Sequence, residues 1–230
     1  MDTLARLCYN GEHPTINTKT GDMIVPSFYQ PNIDMSKRTL SDLQNEIRKG
    51  QDGSRMPKLI LQSILGNWTY DRNIVHFQTL KKERVSGTVK YTQYSHVSPH
   101  SDAEGSDSSE KYVKYREDGF YELTPTQKFE VFREYEYIAK HDALEIYFVE
   151  GGQRAHLFLS LKFVPETTQS DDGYWVKATS DHLCIKDLYS ANFRVKLDGL
   201  SASEVIIKYR VKGPSKDYES TTVLKPLLQV

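Results

Sequence analysis

Apolar and polar residues alternate along the chain from Trp68 almost to its end. Such a period of two is typical of β-strands with one buried face. It predicts ten strands, at residues 67–77, 84–94, 111–123, 128–139, 143–150, 154–164, 173–179, 190–198, 203–212 and 218–225. Short turn-forming segments separate these strands, so neighbours are expected to pair antiparallel. Because a long meander avoids bare edges by closing on itself, we predict a mainly β fold: an antiparallel closed barrel.

The residues before this run have a different pattern. Residues 1–38 are rich in Pro, Asn and Thr and show no periodicity. A capping-box signal at Ser41 predicts a short helix. A second helical segment is expected to begin near Pro57, a residue favoured in the first helical turn, and to lead into the first strand. We therefore predict an N-terminal arm with a short helix over residues 1–55 and a barrel domain over residues 56–230.

One segment interrupts the strands. Residues 95–110 are rich in Ser, Asp and Glu and contain too few apolar side chains to form a core, so we expect a disordered acidic insert. Two interpretations are open. The insert is either a solvated hairpin loop or a regulatory loop that is phosphorylated, since its serines lie beside acidic residues.

Composition limits the class of partner and the compartment. The formal net charge is −1, so no overall field attracts nucleic acid or an anionic membrane. Cys8 and Cys184 lie far apart and suggest no disulfide framework. Neither a secretory signal nor an apolar run of membrane-spanning length is evident. We expect a cytoplasmic or nuclear protein with no nucleic-acid partner and no membrane partner.

Strand parity turns three charged residues inward. In a barrel, alternate residues share a face. On the first strand, Arg72 shares its face with Trp68 and Tyr70. The same reasoning places Glu117 inside from the third predicted strand and Arg133 inside from the fourth. Each of the three therefore lies among inward-facing aromatic residues.

Buried charges need partners, and these three do not balance. Two guanidinium groups and one carboxylate leave an excess positive charge that suits an anion. We therefore predict a ligand-binding interior for a small anionic or polar-aromatic molecule. Its candidate residues are Arg72, Glu117, Arg133, Tyr115, Tyr135, His182 and, at the rim, Lys216. The competing interpretation is a structural Arg–Glu–Arg network that satisfies itself.

No catalytic or metal motif is complete. His182 and Cys184 are two residues apart, as in some metal sites, but the second Cys-x-x-Cys pair of a deaminase-type zinc site is missing. The order and spacing of a Ser-His-Asp triad are also missing. We therefore predict no catalytic residues, no metal and no cofactor, and an enzyme is the less favoured class.

Several short motifs, taken in order, resemble a family. They are Leu65–Arg72 with its Gly-x-Trp step, Tyr115–Gly119, Arg133–Tyr135, His156–Phe158, His182–Tyr189 and Val211–Tyr218. The set is similar to an uncharacterised domain-of-unknown-function family with a lipocalin-like, calycin-type barrel, and it covers about residues 62–227. The resemblance implies that fold but no activity. The arm and the acidic insert are expected to be additions to the family pattern.

Three functions are compatible with these observations. The first is a non-catalytic barrel that binds a small molecule in its interior. The second is a structural or protein-interaction module that engages a protein partner through residues 1–55 and the acidic insert. The third is an enzyme acting on a phosphorylated or acyl substrate, with His182 as the base.

Overall fold

The computed structural model describes residues 56–96, 110–124, 127–166 and 174–227, which form one helix and eleven strands. The helix is α1, Met56–Ser63. The strands are β1 Gly66–His76, β2 Lys82–His96, β3 Glu110–Thr124, β4 Gln127–Ala139, β5 Leu144–Glu150, β6 Gln153–Leu161, β7 Val164–Pro165, β8 Tyr174–Cys184, β9 Asp187–Asp198, β10 Ser201–Lys212 and β11 Asp217–Pro226.

All eleven strands belong to one antiparallel sheet. Its order is β6-β5-β4-β3-β2-β1-β11-β10-β9-β8-β7. Sequence neighbours therefore pair throughout, except that β6 and β7 form the two ends of the ladder and β1 also pairs with β11. The sheet curls until β6 lies against β8. This curled meander confirms the mainly β, antiparallel character that the alternation predicted.

The prediction of a fully closed barrel was wrong. Among the described strands, the ladder ends at β6 on one side and at β7 on the other. β7 pairs with β8 over only two residues, and beyond it Ser160 N–H donates to Ser180 Oγ at 3.4 Å. The β5–β6 register shifts twice, and such bulges bend a strand away from its neighbours. A slit, which we call the β6–β8 slit, remains in the wall.

Other expectations differ in detail. The predicted strand 154–164 is divided into β6 and β7, while β8 and β9 extend further than expected to a two-residue turn at Ile185–Lys186. β2 and β3 extend into the ends of the acidic insert. The rest of the insert and the arm with its helix near Ser41 lie outside the described residues. The division at residue 55 therefore stays a prediction.

Helix α1 and the Gly-x-Trp step lie at one end of the barrel, which we call the helix end. The helix contacts β4, β5 and β10. Gly66 has a φ of +117°, a conformation that glycine adopts readily, and it turns the chain from helix to strand. Trp68 is buried, and its indole Nε1 donates to the carbonyl of Ile64 at 2.8 Å. The indole therefore holds the end of α1 against β1.

The opposite end of the barrel carries the hairpin connections β1–β2, β3–β4, β5–β6, β8–β9 and β10–β11, and we call it the loop end. The inner face carries both apolar and polar side chains. Val89, Val195 and Leu224 are fully buried there. Glu117 lies directly opposite Val89 in the β2–β3 ladder, so the charged part of the predicted site lies between the two ends.

Two facing glycines allow an unusually close approach of β2 and β3. Gly87 lies opposite Gly119 in the ladder. A Cβ atom at Gly87 would collide with the backbone of Asp118 and Gly119. Because backbone atoms cannot move aside cheaply, we predict that Gly87→Ala lowers the free energy of unfolding by about 2 kcal/mol or more, measured by urea denaturation.

Gly151→Ala is the matched control. Gly151 has a positive φ of 57°, but nothing lies within 4 Å of an added Cβ. That substitution should cost only about 1 kcal/mol of backbone strain. Equal losses at the two positions would contradict a steric role for Gly87.

Candidate functional site

An ion pair between Arg72 and Glu117 lies in the interior of the barrel. The guanidinium Nη1 and Nη2 donate to the two carboxylate oxygens at 2.8 and 2.6 Å, which is a bidentate geometry. Arg72 Nε donates to Thr222 Oγ1 at 2.8 Å. Arg72 is 8% exposed and Glu117 is 2% exposed. Water screens this pair very little, so its electrostatic attraction is strong.

The pair spans three strands. Arg72 is on β1 and Glu117 is on β3, with β2 between them. The side chain crosses β2 beside Gly87, which has no side chain to obstruct it. Gly119 on β3 leaves room for the hydroxyl of Tyr70, because a Cβ there would meet that hydroxyl. The two glycines therefore clear the inner face where the ion pair forms.

Electrostatics keep both members of the pair charged. Burial alone would raise the pKa of Glu117, but Arg72 and Arg133 outweigh it and hold this pKa at about 2. The pKa of Arg72 is likewise raised above its ordinary value, because Glu117 outweighs the lowering effect of burial. Tyr115 adds a hydrogen bond, with its hydroxyl donating to Glu117 Oε2 at 2.6 Å.

Arg133 is the second guanidinium of the cluster. It lies directly opposite Glu117 in the β3–β4 ladder. Its Cζ lies 6.0 Å from the centroid of the Tyr135 ring, and it is hydrogen-bonded to Tyr135. Burial lowers its pKa, but Tyr135 and Glu117 more than compensate, and the pKa stays above the ordinary value. The side chain is therefore a permanent cation.

Arg133 is only half-buried, unlike Arg72. The reason is the length of β5, which pairs with β4 only from Tyr135 to Ala139. Among the described strands, none pairs with the earlier part of β4 on that side. Arg133 lies just beyond the last pair. The barrel wall thus ends beside one guanidinium, while the other is enclosed.

An aromatic layer adjoins the two arginines. Tyr115 and Tyr135 have ring centroids 5.7 Å apart. Phe158 stacks on Tyr135 at 5.7 Å and on Tyr209 at 5.9 Å, with interplanar angles of 10° and 26°. Phe158 and Tyr209 were not among the predicted site residues. Strand parity in β10 could have identified Tyr209. It could not identify Phe158, because the bulged β5–β6 register turns that side chain inward.

His182 contacts this aromatic layer. Its ring centroid lies 5.2 Å from that of Phe158 and 6.2 Å from that of Phe148, at the β6–β8 slit. Burial and the neighbouring His156 lower its pKa, so the ring is neutral at pH 7. At neutral pH, His182 therefore adds an aromatic surface and a hydrogen-bonding group, but no charge.

Lys216 is held by partners at the rim. Its Nζ donates to Tyr189 Oη at 2.8 Å and lies 3.2 Å from Asp187 Oδ2. Ser215 Oγ also reaches Asp187, and a Cβ at Gly213 would collide with the same carboxylate. The Gly-Pro-Ser-Lys loop is thus anchored on a buried aspartate that the sequence analysis did not single out.

Glu83 is a second buried carboxylate that sequence reasoning missed. It contacts His76 Nε2 at 3.1 Å and Lys81 Nζ at 2.7 Å, and it is hydrogen-bonded to Tyr121. Burial raises its pKa, but these three partners outweigh burial and lower it. Glu83 lies just outside the predicted strand 84–94, so strand parity did not assign it to a face.

The structure therefore divides the predicted site into two groups. Arg72, Glu117, Arg133, Tyr115 and Tyr135 form one cluster. His182 and Lys216 lie nearer the loop end. In the part of the chain that the structure describes, no group of three or more His, Cys, Asp or Glu side chains could hold a metal ion. No helix within the same ranges is long and apolar enough to span a membrane.

The fold and the site define a curled antiparallel β-sheet with a helix at one end and an internal arginine–glutamate cluster. A model of a family of unknown function, DUF6314, matches residues 64–226, which is more than two thirds of the chain. The chain belongs to this family. The resemblance that its motifs indicated is confirmed.

Other comparisons are more distant. No curated protein matches the chain. Among solved structures, it is similar to the S-type phycobiliprotein lyase CPES from Guillardia theta, with a TM-score of 0.43 and 10% identity over 78% of this chain and 98% of that chain. A likeness of that size carries no argument about function.

The ion pair makes stability depend on pH. Because the pKa of Glu117 is about 2 in the folded state against 4.5 unfolded, its contribution is fully present above pH 4.5 and is lost as the pH falls towards 2. We predict that Glu117→Gln costs about 3 kcal/mol at pH 7, since Arg72 is left buried without its partner. The difference from the natural chain should shrink by about 2 kcal/mol at pH 3, measured by chemical denaturation.

Glu122→Gln is the control for this prediction, because Glu122 pairs with Lys128 at a more exposed position. Exposed pairs contribute about 1 kcal/mol or less. A Glu117→Gln difference that stays constant from pH 7 to pH 3 would show that Glu117 does not titrate as an ion-paired carboxylate.

Proposed function

We propose that this protein is a non-catalytic β-barrel that binds a small anionic or polar-aromatic ligand in its interior. In this proposal, Arg72 and Glu117 form a fixed charge pair, and Arg133 is the group that contacts the anion. Tyr115, Tyr135 and His182 supply walls and hydrogen bonds, and Lys216 lies at the rim. No metal or cofactor takes part.

The observation that carries the proposal is the charge count of the cluster. Arg72 and Glu117 neutralise each other through two hydrogen bonds. Arg133 adds a second guanidinium to the same carboxylate, so the cluster of three has one excess positive charge. Two guanidinium groups around one carboxylate make this part of the interior rich in hydrogen-bond donors and attractive to an anion. Guanidinium groups are well suited to carboxylate, sulfonate or phosphate oxygens.

The aromatic layer supports a ligand with a ring. Tyr135, Phe158 and Tyr209 present roughly parallel faces beside the two arginines. A planar ligand can pack against such faces while its acidic group reaches Arg133. Ligand pockets of this kind combine apolar and aromatic walls with a few polar groups that fix orientation.

The incomplete wall supports entry from outside. Arg133 lies where β4 extends past β5, and the β6–β8 slit opens beside Phe158 and His182. Both features are on the loop-end side of the cluster. A ligand therefore has a path to the arginines that does not require the helix end to open.

The structural interpretation and the ligand-binding interpretation apply to different residues. A self-satisfied network describes Arg72 well, because its donors are used by Glu117 and Thr222. Arg133 is the better test, since it is half-buried. A protein-interaction module based on residues 1–55 and an enzyme using His182 stay as alternative proposals, and the cytoplasmic or nuclear location stays a prediction.

The test compares a charged and an uncharged aromatic probe in Arg133→Gln. We expect the natural chain to bind 8-anilinonaphthalene-1-sulfonate more tightly than N-phenyl-1-naphthylamine, which lacks the sulfonate. Loss of a charge-assisted hydrogen bond should weaken sulfonate binding about ten-fold or more. Binding of the uncharged probe should stay within about two-fold, and both affinities are measured by fluorescence titration.

Arg116→Gln is the matched control, because Arg116 is on β3 with its side chain on the outer face, bound to Asp118 and Glu134. It should leave both affinities unchanged. The proposal fails if the natural chain does not prefer the sulfonate, or if Arg133→Gln and Arg116→Gln behave alike. Thermal melting of each variant separates loss of binding from loss of fold.

A further inference from the structure

Two hairpin tips at the loop end have an unfavourable backbone conformation. Leu80, in the β1–β2 connection, has a φ of 55°, and Ile185, in the β8–β9 turn, has a φ of 57°. Within residues 56–96, 110–124, 127–166 and 174–227, these two are the non-glycine residues with a positive φ. L-amino acids rarely adopt this region, and a β-branched residue there is a clear outlier.

Both positions are ones that proteins usually give to glycine. Ile185 is the first residue of a two-residue loop, the place that type II′ turns reserve for glycine. Leu80 closes the longer β1–β2 hairpin, where glycine or asparagine is favoured for the same reason. The backbone of each loop would therefore be more stable with a different residue.

Packing does not compensate for this strain. Leu80 is 78% exposed and Ile185 is 74% exposed, and in the described part of the chain they are the two most exposed large apolar side chains. Leu183 follows at 65% and flanks Ile185 on the same hairpin. Strained residues that contribute no internal contact are a reason to look for an external one.

The two tips lie at the same end of the barrel. β2 and β1 lead to one hairpin, β9 and β8 lead to the other, and β11 and β10 separate them in the sheet. At about 4.8 Å per strand, the tips are roughly 19 Å apart along the curled sheet. Two separate aliphatic side chains thus project from one rim.

Lysines accompany the apolar tips. Lys81 and Lys82 follow Leu80 directly, and Lys186 follows Ile185. The three neighbouring hairpin segments 77–83, 183–188 and 212–217 contain five lysines and three acidic residues. Glu83 and Asp187 pair with Lys81 and Lys216, so these two lysines are largely neutralised. The three segments together keep a net charge of +2, and Lys82 and Lys186 stand beside the two apolar tips.

We propose that the loop end docks on an anionic lipid surface, with Leu80 and Ile185 entering the headgroup region and the lysines contacting the anionic lipids. Apolar side chains beside basic ones are the combination that binds a membrane interface. A protein partner is the less favoured occupant, because lysine, which stands directly beside both apolar tips, is depleted in protein–protein interfaces.

This inference does not depend on the proposed ligand. It differs from the expectation of no membrane partner, which rested on net charge and on the search for a long apolar run. Two single residues in turns alter neither quantity, so sequence pattern does not indicate them. Exposure and backbone conformation are properties of the fold, and only the structure shows them.

The test uses the full chain and sedimentation with lipid vesicles. Vesicles of phosphatidylcholine with 30% phosphatidylserine are compared with pure phosphatidylcholine. We expect binding to the first at least ten-fold stronger than to the second. Leu80→Gly with Ile185→Gly should reduce that binding at least ten-fold, while the melting temperature stays the same or rises because glycine relieves the strain.

Two further variants complete the design. Lys82→Gln with Lys186→Gln should weaken binding to the phosphatidylserine vesicles and leave pure phosphatidylcholine unaffected. Phe132→Ser, which removes an exposed aromatic residue from the outer face of β4, is the matched control and should bind like the natural chain. Because the two glycine substitutions are expected to preserve or raise stability, loss of binding cannot be attributed to unfolding.

Several outcomes overturn the inference. The first is failure of the natural chain to sediment with phosphatidylserine vesicles, which leaves the tips for a protein partner. The second is equal binding to both vesicle types. The third is unchanged binding in the double glycine variant. A lower melting temperature in that variant also overturns it, because the tips would then serve the fold.

Discussion

The interior of this protein depends on the ion pair between Arg72 and Glu117. It joins β1 to β3 across β2, and its members are too deeply buried for either to lose its partner without a large penalty. A buried pair of this kind gives little net stability compared with apolar packing. It instead specifies the strand register, because only one register brings the Arg72 guanidinium and the Glu117 carboxylate together.

The glycines of β2 and β3 are part of the same constraint. Gly87 opposite Gly119 clears the inner face, so that Arg72 and Tyr70 can reach over β2. A one-residue slip of β3 would turn Glu117 to solvent, and a one-residue slip of β2 would replace Gly87 on the inner face with a residue that has a side chain. The ion pair and the space left by the two glycines therefore favour the same strand register. The half-buried neighbour Arg133 therefore has a fixed carboxylate on one side and a gap in the wall on the other.

Local pattern was enough to predict much of the fold. Strand parity identified Arg72 and Glu117 as inward residues, because alternate residues of a strand stay on the same face even when the sheet twists. It could not predict the β6–β8 slit, which depends on bulges in the β5–β6 register. The turn at Ile185–Lys186 was missed because it lacks the glycine that turn rules look for. The partners of Lys216 and Glu83 were missed because pairings across hairpins or strands leave no local signal.

Under the proposed function, the β6–β8 slit also determines which dimension of a ligand the barrel selects. A sheet with a continuous ladder encloses a fixed volume, so it rejects molecules that are too long as well as those that are too wide. Here the wall is joined near the helix end by β7, and further along Ser160 contacts Ser180 and the ring of Phe158 contacts that of His182. Under the proposed function, an elongated ligand would rest with one end inside and the remainder protruding between two strands. The barrel would then select ligands by the thickness of the inserted end, and it would not restrict the length of the protruding part.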